Sequence, residues 1–241
     1  MEPIFALVFL VGIAVGVLDA LAGGGGLISI PFLIFMGLPA PVAIATDRLG
    51  TFGWSFGAIT KFWHARKVNW KYVLPFSVLS IAGAYLGSRF LLAINGVLLS
   101  KLVAVMLLVL LPFIFWKSPK MRHSSLTRKT IGYTLYLLFM FLGGFLGVVP
   151  GVTYILVFFF GMSIIETNAT TVIPWFLLSV VSLTIFIQKG LVNYPYGITL
   201  AVSMLIGGYL GAHLAIKKGE NWVKAVFAIV VVTSAIKLLF F

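Results

Sequence analysis

Long apolar runs, separated by short stretches of glycine, proline and basic residues, dominate this sequence. A membrane-spanning helix needs about 20 mainly apolar residues, and eight of the runs reach that length. The chain is 61% hydrophobic and 9% charged, whereas soluble domains are about 25% charged. The sequence therefore predicts an all-α polytopic membrane protein. The ten runs fall near 4–22, 27–38, 41–63, 71–93, 97–116, 131–149, 151–162, 165–187, 194–216 and 222–241.

Two of the runs, 27–38 and 151–162, are too short to cross a bilayer as helices. Each has 12 residues, and a helix of that length reaches only about 18 Å. Each follows a helix-breaking stretch, four consecutive glycines in the first case and Pro150-Gly151 in the second. We expect two half-length broken helices beside eight full-length ones.

The sequence contains an internal repeat. Adding 124 to a residue number aligns 68–72 with 192–196 and 83–87 with 207–211 without a gap. A hydrophilic, strongly basic stretch separates the two halves. The predicted units are a first repeat over 1–116, a basic cytoplasmic linker over 117–129 and a second repeat over 130–241.

The basic residues predict the orientation. Residues 61–71 hold four lysines and arginines, whereas the equivalent 185–195 hold only Lys189. Placing 61–71, 117–129 and 217–224 in the cytoplasm follows the positive-inside rule. This placement requires an odd number of crossings per half, which five segments per half provide. The two repeats are then inverted, and both termini lie on the outer side of the cytoplasmic (inner) membrane. If the short segments were re-entrant, each half would cross four times and the repeats would be parallel.

Composition also narrows the classes of partner and cofactor. The net charge is +12, but the basic residues sit mostly at the ends of apolar runs, where they favour an anionic leaflet over nucleic acid. The absence of cysteine excludes disulfides and thiolate metal sites. The sequence has no phosphate loop and no HExxH pattern. We expect no cofactor, no metal and no nucleic-acid partner.

Inverted repeats with broken helices are typical of secondary transporters, whose sites lie near the bilayer midplane. Consecutive glycines expose backbone N–H groups, and the helix that follows them presents a positive dipole end suited to an anion. The alternative is a tight packing turn. The candidate substrate-binding glycines are Gly23, Gly24, Gly25 and Gly26, with Pro150 and Gly151 as their counterparts in the second half.

Charged and polar side chains inside the runs are further candidates. Asp47 and Arg48 lie within an apolar run, where a charge is costly and indicates function; the alternatives are a structural ion pair or snorkelling of Arg48. Arg48 could bind an oxyanion through two donors. Asp19 and Asp47 are candidates for proton coupling, although Asp19 could instead position the glycine loop. Neutral donors to a substrate, or to a neighbouring helix, are Thr46, Asn168, Thr170 and Thr171.

The motifs resemble a known family. Residues 19–31, Asp-Ala-Leu-Ala-Gly-Gly-Gly-Gly-Leu-Ile-Ser-Ile-Pro, are similar to the glycine-rich opening of the TauE/SafE sulfite exporters. The segments 37–39 and 45–49, and the Asn-aromatic and Gly-x-Tyr-Leu-Gly ending of each half, resemble that family too. The resemblance implies transport of a small anion, often sulfite or an organosulfur or sulfonate compound, across the cytoplasmic membrane.

Two other functions stay open at this stage. An anion channel would use the same helix ends without an occluded state. An intramembrane enzyme, the less favoured alternative, would need an acid/base pair, for which Asp19 and Asp47 are the available carboxylates. We expect a transporter, not an enzyme, with a small anion and the lipid bilayer as partners. Small-xxx-small glycine pairs could pack within one chain or join copies in a homo-oligomer.

Overall fold

The structure, a computed structural model, describes residues 3–103, 105, 126–147 and 152–218. These residues form helices joined by short connections, with no strand among them, so the all-α prediction is confirmed for this part of the chain. Helical backbone also covers 96–103. The helices with defined bounds are α1 (Pro3–Ala22), α2 (Gly26–Phe35), α3 (Ala40–His64), α4 (Trp70–Ala93), α5 (Leu126–Leu146), α6 (Val152–Phe160), α7 (Ile164–Gln188) and α8 (Tyr194–Lys218).

Five of these helices, α1, α4, α5, α7 and α8, are long and apolar enough to cross a membrane. The α3 helix is 25 residues long, as α7 is, but it carries Asp47, Arg48 and Lys61, which lower its hydropathy. The expected count of eight full-length helices is not reached within the described residues. All of the predicted run 222–241, most of the run 97–116 and most of the linker 117–129 lie outside them.

Two short helices follow breaks in the chain, at the positions that the sequence predicts. The α2 helix has 10 residues and α6 has 9, so each is about 15 Å long, half of a hydrocarbon core of about 30 Å. The first break holds Gly23 and Gly24 at φ values of 71° and 94°. These left-handed conformations favour glycine because a Cβ atom would clash.

The backbone follows the sequence repeat in detail. Helices α3 and α7 begin at 40 and 164, and α4 and α8 begin at 70 and 194, the same offset of 124 that aligns the two halves. Left-handed backbone recurs at the same offset. The paired residues are Gly23 with Gly147, Gly37 with Gly161 and Arg66 with Gly190.

Helix α8 packs between α1 and α3 through glycines that let the backbones approach closely. Residue numbers rise together along both contacts, so α1, α3 and α8 run in the same direction. The contacts pair Gly12 with Ser203, Gly16 with Gly207, Gly53 with Ala201 and Gly57 with Leu205.

Helix α4 packs in a similar way against α5 and α7. Gly83 and Gly87 of α4 contact Met140 and Phe141 of α5. The first-half helix α1 therefore packs on α8 of the second half, and α5 of the second half packs on α4 of the first. The two halves interlock, and these small-xxx-small faces are used inside one chain.

Candidate functional site

The break between α1 and α2 is held by Asp19. Its backbone carbonyl accepts the N–H of Gly23 at 2.9 Å, and its carboxylate Oδ1 accepts the N–H of Gly25 at 2.8 Å. A Cβ atom on Gly25 would lie 2.9 Å from the Asp19 side chain, so this position needs glycine. The carboxylate of Asp19 thus lies at the amino end of α2, where the helix dipole is positive.

Asp47 and Arg48 are neighbours on α3, but they contact different helices. The carboxylate of Asp47 accepts a hydrogen bond from the Ser29 hydroxyl of α2. Arg48 Nη2 donates to the carbonyl of Gly143 on α5 at 2.7 Å. Both side chains are buried, with exposed fractions of 1% and 0%.

The guanidinium of Arg48 is not saturated by this single contact. Its Nε atom has no hydrogen-bond partner among the described residues. An arginine has five N–H donors in a fixed plane, and a buried charge without full pairing is costly. Arg48 therefore holds a buried N–H donor that no described residue accepts.

Asn168 of α7 connects the two breaks. Its Nδ2 donates to the carbonyl of Leu21, at the end of α1, at 2.8 Å. Its Oδ1 accepts from the Thr153 hydroxyl, at the start of α6, at 3.1 Å. This side chain fixes the end of α1 relative to α6 and α7.

Thr46 and Thr170, which are equivalent in the repeat, face the ends of other helices. The Thr46 hydroxyl accepts the backbone N–H of Asn193 at 3.0 Å. The Thr170 hydroxyl accepts the backbone N–H of Asn69 at 2.9 Å. Asn69 Nδ2 also donates to Glu166 at 2.6 Å. Each threonine thus joins one half of the chain to the start of a helix in the other half.

These elements enclose a cavity of about 40 Å³, room for on the order of three water molecules. Asp19 and Arg48 supply its charged lining. Its neutral polar side chains are Thr51, Thr153, Asn168 and Thr171, its aromatic ones are Trp54, Phe62 and Trp175, and its glycines are Gly23, Gly24, Gly26 and Gly147.

The structure brings together some of the residues predicted from sequence but not all. Those that line the cavity are Asp19, Gly23, Gly24, Gly26, Arg48, Asn168 and Thr171. Gly25, Thr46, Asp47 and Thr170 are absent from the lining. Pro150 and Gly151 lie outside the described residues.

Sequence reasoning missed several lining residues that helical spacing or the repeat could have identified. Thr51 follows Arg48 by three positions and Trp175 follows Thr171 by four, so each pair shares a helix face. Gly147 is the repeat equivalent of Gly23. Thr153 and Phe62 carried no signal of this kind. Within the described residues, no group of three metal-ligating acids or histidines occurs.

Together, the apolar helices, the two broken segments and a charged cavity between them define a polytopic helical membrane protein with a central polar site. Similarity to known proteins identifies the family within this class. Residues 8–238 match the family described as Sulfite exporter TauE/SafE, and the chain belongs to that family of membrane transporters. The resemblance seen in the sequence motifs is confirmed.

Curated relatives agree with this assignment. The probable membrane transporter protein ORF9 of a Sinorhizobium species is 30% identical over 243 residues, covering 98% of this chain and 92% of the relative. A probable membrane transporter protein of Haemophilus influenzae is 28% identical, covering 94% and 91%. The probable membrane transporter protein YfcA of Escherichia coli K12 is 28% identical, covering 98% and 90%. No solved structure matches the chain significantly.

Proposed function

We propose that this protein is a secondary transporter that moves a small anion, sulfite or an organosulfur or sulfonate compound, across the cytoplasmic membrane by alternating access. The observation that carries the proposal is the buried Arg48, whose Nε lacks a partner among the described residues and which lines the cavity at the α1–α2 break. A cation held in this way favours an anion as the missing partner.

The size of the cavity supports a compact substrate. A volume of about 40 Å³ suits an ion of a few heavy atoms, such as sulfite. A sulfonate that carries a carbon chain would require the cavity to widen. The aromatic side chains of the lining would exclude water around the anion.

Two equivalent hydrogen bonds support inverted repeats. Helix α3 begins beside the start of α8, where Asn193 contacts Thr46. The other end of α3 leads through 65–69 to Asn69, which contacts Thr170 near the start of α7. Helices α3 and α7, equivalents in the repeat, thus begin at opposite ends of the molecule, as an inverted repeat requires.

The direction of α1 supports five crossings per half. Helices α1 and α3 both run parallel to α8. The chain between them must therefore return from the end of α1 to the start of α3, which the glycine break and α2 together do. A re-entrant α2, with four crossings per half, would leave α1 and α3 antiparallel.

The turn between α3 and α4 supports the proposed orientation. Trp63 and Trp70 are about half exposed and pack edge to face with ring centroids 4.9 Å apart. Tryptophan is enriched at membrane interfaces, and lysines and arginines are enriched on the cytoplasmic side. This turn also holds Arg66 and Lys67. We therefore propose that it faces the cytoplasm and that both termini lie outside.

Binding of sulfite to purified protein tests the anion site. We expect Arg48→Ala to weaken sulfite binding tenfold to a hundredfold, because a charged hydrogen bond contributes about 1.5–3 kcal/mol. Arg48→Lys, which keeps the charge, should recover part of the affinity. The matched control is Arg89→Ala, since Arg89 is exposed on α4 and lies over the Tyr85 ring.

The readouts are the thermal shift of detergent-solubilised protein and the uptake of labelled sulfite into proteoliposomes. Saturable uptake that Arg48→Ala abolishes and Arg89→Ala leaves intact would support the transporter. Uptake that does not saturate would favour the anion channel. Equal sulfite affinity in Arg48→Ala and wild type would refute the assignment of Arg48 to the substrate site.

A further inference from the structure

We propose that Asp19 is the binding site for a proton that is transported together with the anion. This inference rests on the proposed function and deepens it, since it names a second transported ion and the residue that holds it. The geometry that carries it is the position of the Asp19 carboxylate, which occupies the amino end of α2 and lines the same cavity as Arg48.

The carboxylate of Asp19 takes the place where a substrate anion would bind. Its Oδ1 accepts the Gly25 N–H at 2.8 Å, and that N–H is one of the donors that the helix end offers. An ionised Asp19 therefore competes with the substrate for the same positive helix end. It also balances part of the charge of Arg48 when the cavity holds no anion.

A substrate anion in this cavity would be a second negative charge beside the Asp19 carboxylate. Asp19 and Arg48 line the same cavity, so an anion bound by Arg48 would share that cavity with the Asp19 carboxylate. Like charges repel strongly in surroundings of low dielectric constant. A proton on Asp19 removes this repulsion. It weakens the contact to Gly25 and converts one carboxylate oxygen into a donor to the anion. One proton enters with each anion, and no covalent bond other than O–H forms or breaks.

Asp47 is the other candidate, and its surroundings do not suit this role. It is 1% exposed and absent from the cavity lining. The Ser29 hydroxyl already donates to its carboxylate, and Thr51 Oγ1 lies 3.5 Å from the second oxygen. Two hydroxyl groups therefore already lie at the Asp47 carboxylate, and it offers no contact to an anion in the cavity.

The charged groups that act on Asp19 are few. Arg48 and Asp47 of α3 are the ones that interact with it electrostatically, and Gly24 and Gly25 contribute backbone N–H groups. Of the other helices packed against α1, α2 holds no charged residue, α7 holds Glu166 near its start, and α8 holds His213 and Lys217 near its end. None of these three side chains lines the cavity. Protonation of Asp19 thus changes the balance of charge in the cavity directly.

Sulfite transport by Asp19→Asn proteoliposomes tests the inference. Asparagine keeps an oxygen that can accept from Gly25 but cannot gain or lose a proton. We expect this variant to exchange external for internal sulfite, while a pH gradient no longer drives accumulation. In wild type, one proton per anion would let a gradient of one pH unit sustain an accumulation ratio of about tenfold.

Asp47→Asn is the comparison variant. The quantity compared is the ratio of internal to external sulfite that a pH gradient sustains, and the transport rate is not used. We expect that ratio to match wild type. Asp19→Asn that accumulates sulfite like wild type would overturn the inference, and it would show that bisulfite itself carries the proton. Loss of accumulation in Asp47→Asn alone would overturn it in favour of Asp47.

A measurement on wild type keeps the inference testable if Asp19→Asn does not fold. At a pH where free sulfite is fully deprotonated, binding of sulfite in weak buffer should take up about one proton per anion, and so should binding of an alkylsulfonate, which is not protonated itself. Uptake with sulfite alone would mean that bisulfite carries the proton, and it would overturn the inference. No proton uptake would overturn the inference. If wild type neither binds nor exchanges sulfite, the proposed function fails; if it exchanges sulfite without response to a pH gradient, only the assignment of Asp19 fails.

Discussion

Two threonines at equivalent positions of the repeat give a matched pair of perturbations. Thr170 accepts the backbone N–H of Asn69, and Thr46 accepts that of Asn193. These contacts lie at opposite ends of α3, so in the proposed transporter they close opposite sides of the cavity. Thr170→Val should favour opening towards the α3–α4 turn, and Thr46→Val should favour opening towards the other side.

The expected shift in the ratio of the two open states, one open to each side of the membrane, follows from the loss of one neutral hydrogen bond in each variant. Such a bond contributes about 0.5–1.5 kcal/mol in proteins and about 0.6 kcal/mol on average between membrane helices. A change of about 1 kcal/mol shifts the ratio of the two open states by a factor of about five. Glu166→Gln should shift it further in the direction of Thr170→Val, because Glu166 binds Asn69 at 2.6 Å.

Cysteine labelling measures the shift directly, because the chain contains no cysteine. Thr153→Cys places one thiol in the cavity, and its reaction with a membrane-impermeant maleimide is timed in right-side-out and inside-out vesicles. The matched controls are Thr60→Val and Thr184→Val, which are also repeat equivalents but whose hydroxyls bond within their own helices.

We expect the two test variants to change the labelling ratio in opposite directions and the controls to leave it unchanged. A change in the same direction for both, or none, would refute the interpretation of these contacts as closures. If Thr46→Val or Thr170→Val lost sulfite affinity without a change in labelling, the substrate-binding role predicted from sequence would be the better account.

Three smaller predictions concern packing and local geometry. Gly53→Val should prevent close approach of α3 and α8 and sharply lower the yield of folded protein in size-exclusion chromatography, because its Cβ would collide with the α8 backbone; Gly96→Ala, with only ordinary contacts, should be neutral. Ser163→Ala removes the capping box of α7 and should cost about 1 kcal/mol, seen as a lower melting temperature that Ser163→Asp restores. Asn168→Ala should weaken sulfite binding together with thermal stability, since Asn168 both lines the cavity and holds the end of α1; a loss of stability alone would assign it a purely structural role.

The parts of the fold that could be predicted from sequence are those set by local chemistry. Consecutive glycines break a helix wherever they occur, and Gly23 and Gly24 do so in left-handed conformations. The spacing of glycine, proline and basic residues gave the short helices near 27–38 and 151–162. The basic residues and the repeat gave an inverted arrangement, which stays a proposal that the directions of α1, α3 and α7 support.

The side-chain partners could not be predicted, because they depend on which helices meet. Thr46 and Thr170 were candidates for a contact to the substrate or to a neighbouring helix, because they are polar residues within apolar runs. Their partners lie 147 and 101 positions away in sequence, and no local pattern predicts such a contact. Asp47 and Arg48 were predicted as functional charges, with a structural ion pair as one alternative, but the contact of Arg48 with Gly143, which is 95 positions away, could not be predicted.

The two halves have the same residues at the equivalent positions that form the breaks and the hydrogen bonds between halves, and different residues at the two charged positions of the cavity lining. Gly23 and Gly147 match and form the two breaks, and Thr46 and Thr170 match and form the cross-connections. The two charged lining residues have no charged counterpart: the repeat equivalent of Asp19 is Gly143, and that of Arg48 is Val172. Gly143 is also the residue whose carbonyl accepts from Arg48. A carboxylate at that position, a strict copy of the first half, would add a further negative charge close to the guanidinium of Arg48. In the proposed transporter, the loss of symmetry at these two positions leaves Arg48 as the cation for the anion and Asp19 as the carboxylate that binds the proton.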